Sequence, residues 1–240
     1  MMTYIILAAG KGINLQPLTL KYAKTSFRLD EETTVLQRMV RSIRKHDKNA
    51  EIVVVVGYKA DVVKKELDGE NVIFVMNPFY EVTNSIASVW FARDYLEREN
   101  VAIVHGDVVY SDDIITDYLI VPTDYPYVLA DTSSVRQGSY NIVAKENQVL
   151  VMSKKLEHFT ARYGCMTKLD PVSSRLLKEE IDSMINSNMY DQYFEDSLVQ
   201  MIMFHDFQLT YKDISGKKWS EVDSVDDLLT AQEILKESAK

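Results

Sequence analysis

The sequence predicts an α/β protein, a parallel sheet with helices on its faces. Three observations carry that prediction. Apolar runs that read as strands buried on both faces recur at Tyr4–Leu7, Glu51–Val56, Val72–Val75 and Val101–Val104. Segments with helical spacing of apolar residues lie between them, which gives the order βαβαβ. Glycines stand close behind three of these strands, at Gly10, Gly57 and Gly106, where open α/β sheets bind their ligands.

The first strand runs into Ala8-Ala9-Gly10-Lys11-Gly12. Small side chains let a backbone approach a bulky ligand, and glycine tolerates positive φ. A row of N–H groups beside a lysine suits a phosphate, although a tight turn closing a strand has the same composition. The spacing is not G-x-G-x-x-G, because Leu15 takes the third place, and no Gly-Lys-Ser/Thr follows. Thr34–His46 then places Val35, Leu36, Met39, Val40 and Ile43 on one helical stripe, with Thr33 or Thr34 as its cap. Lys59–Leu67 reads as a short helix.

Asn77-Pro78-Phe79-Tyr80 is loop. Asn84 and Ser85 lead into a helix through Glu97, and the strand Val101–Val104 runs into His105-Gly106-Asp107. Ser111 caps a helix to Leu119, and Tyr127–Ala130 is a strand ending at Asp131. Tyr140–Ala144 and Gln148–Ser153 read as a hairpin around Glu146-Asn147. Tyr163–Leu169 is a further strand, Ser173–Ile185 and Glu195–Met203 are helices, and Leu209–Asp213 and Trp219–Val222 are short strands. Ser224-Val-Asp-Asp227 opens a last helix to about Glu237. No linker interrupts the chain, so residues 1–240 are expected to form one domain in which a second half with the final helix, 132–240, packs against a first half, 1–131.

Composition narrows the function. A net charge of −9 and the lack of a Lys/Arg run argue against nucleic acid as a partner. An acidic protein that handles phosphates needs local cations or a divalent metal. The single cysteine, Cys165, excludes an internal disulfide and fits a reducing cytoplasm. No basic leader and no long apolar stretch point to export or a membrane. The oligomeric state is open, with a homodimer among the options.

Asp107 follows an apolar strand and a glycine, a place suited to a hard cation and equally to a turn aspartate. Asp223 lies at another strand-to-helix boundary and would complete a carboxylate pair for Mg²⁺ if the fold brings the two together. Lys24 is a mobile charge suited to a phosphate. His105 is a general base by type and a strand-end packing residue by position. Cys165 reads as a buried structural thiol. Asp131, Asn141 and Lys154 are polar residues of the region 130–200 that could contact a ligand. Tyr190, Tyr193, Phe194 and Trp219 are of the type that cages an organic cation, and Asp191, Glu195 and Asp196 of the type that pairs with an ammonium.

LAAGKGINLQPLT with Lys24 downstream resembles the signature of the sugar-phosphate nucleotidyltransferases, L-A-A-G-x-G-[ST]-R-[LM]-x-P-L-T followed by P-K. HGDVVY resembles that fold's strand-end acidic motif, and WSEVDSVDDL its C-terminal E-[IV]-D-[ST]-x-x-D-L. NPFYEVTNSIASVWFA resembles a segment of the small branch acting on phosphocholine and related phosphorylated compounds. The resemblance implies a Rossmann-like, GT-A-type three-layer sandwich with a mostly parallel central sheet. It implies a Mg²⁺-dependent cytidylyltransferase that joins CTP to a small phosphorylated or phosphonate acceptor, of the kind that feeds cell-surface polysaccharide synthesis, and releases pyrophosphate. Leu7, Ala8, Ala9, Gly10, Lys11, Gly12, Asn84, Ser85 and Gly106 would meet the nucleotide. Lys24 would contact the transferring phosphates. Asp107 and Asp223 would carry Mg²⁺ with Glu221 beside them, and Lys154, Asp131, Tyr190 and Glu195 would meet the acceptor. The family's loop arginine is Asn14 here, its Ser/Thr is Ile13 and its proline before the lysine is Ala23. That shifts the charge on the triphosphate toward Mg²⁺, Lys24 and Lys11. The alternatives are a sugar-1-phosphate nucleotidyltransferase using UTP or dTTP, and a nucleotide-binding regulator without turnover.

Overall fold

The computed structural model describes residues 1–134 and 136–238. The chain opens with strand β1 (Thr3–Ala8), followed by the short helix α1 (Leu18–Lys21) and helix α2 (Val35–His46). Thr34 caps α2 and, with Gln37, forms a reciprocal capping box, as the Thr-x-x-Gln spacing requires. Strand β2 (Glu51–Val56), helix α3 (Ala60–Glu66), strand β3 (Ile73–Met76) and helix α4 (Ser85–Phe91) follow. Next come strands β4 (Val101–His105) and β5 (Val108–Tyr110), helix α5 (Asp112–Ile114) and strand β6 (Tyr127–Asp131). Strands β7 (Asn141–Lys145) and β8 (Gln148–Ser153) turn at Glu146 and Asn147, whose φ of 50° and 67° are the two left-handed residues that a two-residue hairpin loop needs. Strand β9 (Ala161–Leu169), helices α6 (Pro171–Asn186) and α7 (Phe194–Phe204), strands β10 (Thr210–Asp213) and β11 (Trp219–Glu221) and helix α8 (Val225–Ser238) complete the chain.

Nine strands form one sheet in the order β3-β2-β1-β4-β9-β6-β10-β8-β7. The first four are parallel, as the βαβ pattern predicts. From β4 onward the pairing is mixed: β9 runs antiparallel to β4 and β6, while β6 and β10 are parallel. Side-chain alternation along the strands supplies both faces. Tyr4, Ile6, Ile52, Val54, Ala102 and Val104 pack with Leu36, Met39, Val40 and Ile43 of α2. Ile5, Val53, Val55, Val101 and Ile103 pack on the other face with α4, α6 and α7. Each large aliphatic side chain so buried contributes about 1.5–3 kcal/mol. A third, smaller cluster joins Leu15, Phe27 and Val35 to Val222, Ala231 and Ile234, and so seats α8 beside the loop after β1.

Several boundaries differ from the sequence reading. The helix expected through Glu97 ends at Phe91 and continues as a 3₁₀ turn over Arg93–Glu97. There the Arg93 guanidinium takes the Trp90 carbonyl, 2.9 Å away. The helix expected over 111–119 becomes α5 and a π-helical turn, Ile115–Leu119. β5 has no counterpart in the sequence reading, because three residues carry no period. The expected halves are also interleaved: β9, from the second, lies between β4 and β6 of the first. No helix among the described residues is long and apolar enough to cross a membrane.

Lys168 is wholly buried and donates to the carbonyls of Tyr118 and Leu119 at 3.1 and 2.6 Å, at the end of the π-helical turn. Burial pulls its pKa down to about 7, with Asp47 opposing, from an ordinary 10.5. Between these values the unfolded chain binds more protons than the folded one, so this lysine makes stability climb as pH rises from about 7 to about 10. Thermal unfolding at pH 7 and pH 9 is expected to show that climb in the wild type relative to Lys168→Met, which lacks the titrating group. Parallel behaviour of the two proteins would remove the assignment.

Candidate active site

The cleft lies beyond the C-terminal ends of β1 and β4, where an open α/β sheet binds ligands. It encloses about 450 Å³. Residues 7–15 form one wall, Asn77–Ser88 another, and Tyr140, Lys154 and Tyr193 the far end. The floor carries Lys24, His105, Asp107, Glu221 and Asp223.

The loop after β1 is shaped by close contacts. Gly12 has φ 61°, and a Cβ there would come within 2.9 Å of Lys24 Cβ, so glycine sets the path of the loop over the lysine. Thr19 Oγ1 donates to the Gly12 carbonyl at 2.8 Å, and the Tyr58 hydroxyl donates to Thr19 O at 2.8 Å. The Leu7 carbonyl accepts from Gly106 N and the Ala9 carbonyl from Tyr58 N, so both are engaged by the fold. Lys11 pairs with Glu81 at 3.0 Å and so ties this loop to the opposite wall. Asn14 is exposed at the cleft edge. Opposite, buried Asn77 holds the wall through Thr83 and Ser88. Asn84 caps α4 through Ser85 N, and Ser85 Oγ accepts from Phe194 N at 2.9 Å, joining the starts of α4 and α7.

β5 explains how two aspartates far apart in sequence meet. It pairs antiparallel with β11, and Val222 N donates to the Asp107 carbonyl at 2.9 Å. Asp107 and Asp223 therefore stand side by side, and Lys24 Nζ lies 2.5 Å from a carboxylate oxygen of each. Burial opposes the charge on Lys24, but Asp107, Asp223 and Glu221 hold its pKa well above the ordinary range. Burial and the neighbouring Glu221 push Asp223 upward, and Lys24 pulls it back. Asp107 Oδ1 is buried with no hydrogen-bond partner. Two carboxylates aimed at one cation, with one buried oxygen unpartnered, suit a hard divalent ion.

Around this centre, Glu221 Oε2 accepts from Arg162 at 2.8 Å, and the Arg162 guanidinium stacks on Trp219 at 4.5 Å. Burial would raise the Glu221 carboxyl, but His105, Lys24 and Arg162 pull it far below the usual carboxylate range. Arg136 clamps Asp227 with two bonds of 2.9 and 3.0 Å and fixes the start of α8. At the far end the Tyr140 hydroxyl donates to Asp196, and Lys154 Nζ sits 4.2 Å from the Tyr193 ring centre.

Of the residues singled out in sequence, Leu7, Ala8, Ala9, Gly10, Lys11, Gly12, Lys24, Asn84, Ser85, Asp107, Lys154 and Asp223 all line this cleft. Four do not. Gly106 lies under the Leu7 carbonyl, 2.7 Å from where its Cβ would be. Asp131 is buried and accepts from Trp219 Nε1 at 2.8 Å. Tyr190 is exposed, and only its carbonyl reaches inward, to Asn84 N. Glu195 is buried against His105 at 2.7 Å. Nor do the four aromatics form a cage, because Phe194 is core and Trp219 carries Arg162. Sequence reasoning missed Tyr140, Arg136 and Arg162. Strand alternation hides their partners, which come from α7, α8 and β11.

A sequence profile described as Nucleotidyl transferase matches residues 3–121. A Campylobacter jejuni protein called CTP:phosphoglutamine cytidylyltransferase is 23% identical over 95% of this chain and 98% of its own length. The bifunctional protein GlmU of Francisella tularensis is 30% identical over 82% of this chain, which spans 43% of that longer protein. Among solved structures, CTP:phosphocholine cytidylyltransferase from Streptococcus pneumoniae superposes with a TM-score of 0.80 at 18% identity, over 98% of this chain and 99% of that one. The inositol-1-phosphate CTP transferase from T. maritima gives 0.80 at 19% identity, over 100% and 97%. These likenesses establish the fold.

Lys24→Met leaves Asp107 and Asp223 without their shared cation. It is expected to lower unfolding free energy by about 2 kcal/mol, less than for a fully buried pair because the carboxylates are partly solvated. Adding Asp223→Asn to the same chain is expected to recover part of that loss in denaturant melts. No recovery would mean that Lys24 acts by packing instead of charge.

Proposed function

This chain belongs to the nucleotidyl transferase family, and we propose that it transfers CMP from CTP to a small phosphorylated or phosphonate acceptor with the help of Mg²⁺. The observation that carries the reading is the convergence of Lys24, Asp107 and Asp223, from three distant parts of the chain, on one point of the cleft floor. The Campylobacter relative, matched almost end to end, supports CTP as the nucleotide and a phosphorylated small molecule as the acceptor.

Asp107 and Asp223 are the residues that would hold the metal, and the unpartnered Asp107 Oδ1 fits that role. When bound, the ion neutralises triphosphate charge. The chain's own groups do the rest. Lys24, released from the two aspartates, binds a non-bridging phosphate oxygen and offsets charge that builds at the α-phosphorus. Lys11 leaves Glu81 to meet the outer phosphates. Lys154 binds the acceptor phosphate from the far end. One oxygen of that phosphate attacks the α-phosphorus in line, the bond to the β-phosphate oxygen breaks, and pyrophosphate leaves. The attacking oxygen is already ionised near neutral pH, so the step needs no protein base or nucleophile.

Pyrophosphate release tests the reading. CTP, UTP, dTTP and ATP are each paired with phosphocholine, aminoethylphosphonate, a phosphorylated amino acid and glucose-1-phosphate in the presence of Mg²⁺. CTP with one of the first three acceptors is expected to give turnover, and Asp107→Ala to reduce kcat on the order of 100-fold or more. Turnover with UTP or dTTP and glucose-1-phosphate alone would replace the cytidylyltransferase reading by the sugar-phosphate one.

A further inference from the structure

Beneath the acceptor end, where β4, β9, β11 and α7 meet, lies a cluster that the reaction does not use. A ring nitrogen of His105, the Cys165 sulfur and a Glu221 carboxylate oxygen all lie within 4.8 Å of one another. We propose that these three residues form a site for one zinc-class divalent cation, separate from the Asp107–Asp223 pair.

The donors are a thiol, an imidazole and a carboxylate, the set that zinc and similar borderline ions take, whereas Asp107 and Asp223 offer oxygen only. The histidine is already oriented for ligation. Its Nε2 bonds Glu195 Oε1 at 2.7 Å, and its Nδ1 faces Glu221 Oε1 at 3.9 Å. A metal-binding histidine commonly donates its second N–H to a carboxylate in this way, which leaves the other nitrogen's lone pair for the ion. Glu195 is fully buried and its Oε2 has no partner, so negative charge is held directly behind the ring. Glu221 divides its oxygens, with Oε2 on Arg162 and Oε1 on the His105 side, so the ion can be bound without breaking the Arg162 pair.

Cys165 adds a backbone observation. It has φ 61° in the middle of β9, opposite the register shift with β6, a conformation rare for a side-chain-bearing residue. Burial pushes its thiol up to about 12, so the thiol stays protonated until a metal takes the proton's place. One cation would displace the Cys165 Sγ proton to solvent and bond to that sulfur and to the ring nitrogen of His105 whose lone pair is free. His105 and Glu221 line the cleft, which supplies the entry path and a water as fourth ligand.

Cd²⁺ is the probe, titrated into the full chain without substrates, so the outcome does not depend on the proposed reaction. One thiolate-bound ion per chain is expected, with a thiolate-to-cadmium absorption band in the ultraviolet and release of the thiol proton. Cys165→Ser is expected to abolish the band. His105→Gln is expected to weaken binding at least tenfold, and Glu195→Gln by roughly 10- to 100-fold with unchanged stoichiometry. Asp107→Asn is expected to keep the band. No band in the wild type would overturn the proposal. So would a band surviving Cys165→Ser, or loss of binding in Asp107→Asn equal to that in Cys165→Ser.

Discussion

One lysine holds the centre of this molecule together. Asp107, Glu221 and Asp223 are placed on the cleft floor by the pairing of β5 with β11, and carboxylates so close repel each other strongly where water is scarce. Lys24 at 2.5 Å from two of them, and Arg162 at 2.8 Å from the third, make that arrangement tolerable. The loop after β1 must then pass closely over Lys24, which is why Gly12 stands where its absent Cβ would strike that side chain. Wall, floor and glycine loop follow from one electrostatic requirement.

In the proposed reaction the same charge balance sets substrate against protein. Lys24 and Lys11 are both spent on protein carboxylates in the free chain. Phosphate oxygens offer these lysines an alternative partner, and a cation offers the aspartates one. The exchange substitutes one set of ion pairs for another instead of uncovering bare charge, which keeps its energetic cost small.

Much of this was readable in the sequence, for definite reasons. Buried parallel strands leave long apolar runs, so β1, β2 and β4 and the helix stripe of α2 stood out. Residues that sit at strand ends, such as Asp107, or in a loop of small side chains, such as Gly10, announced a ligand-binding edge. What was hidden depends on contacts between distant segments. β5 is three residues long and gains meaning only through β11. Asp131 and Glu195 looked available because sequence shows a charge but not the Trp219 and His105 that already occupy it. Tyr190 looked like a cage wall because aromatic spacing is silent about which side of a loop faces out.

The interleaved sheet also has a temporal meaning. A ribosome releases β4 well before β9, its neighbour on one side, and β5 well before β11. Until then β4 presents an unpaired, largely apolar edge, the kind that recruits other strands. The nascent chain therefore carries its nucleotide loop early but stays adhesive until late segments arrive. Asp223 follows β9 and β10 in the chain, so the cleft floor is completed only after the sheet around β4 can close.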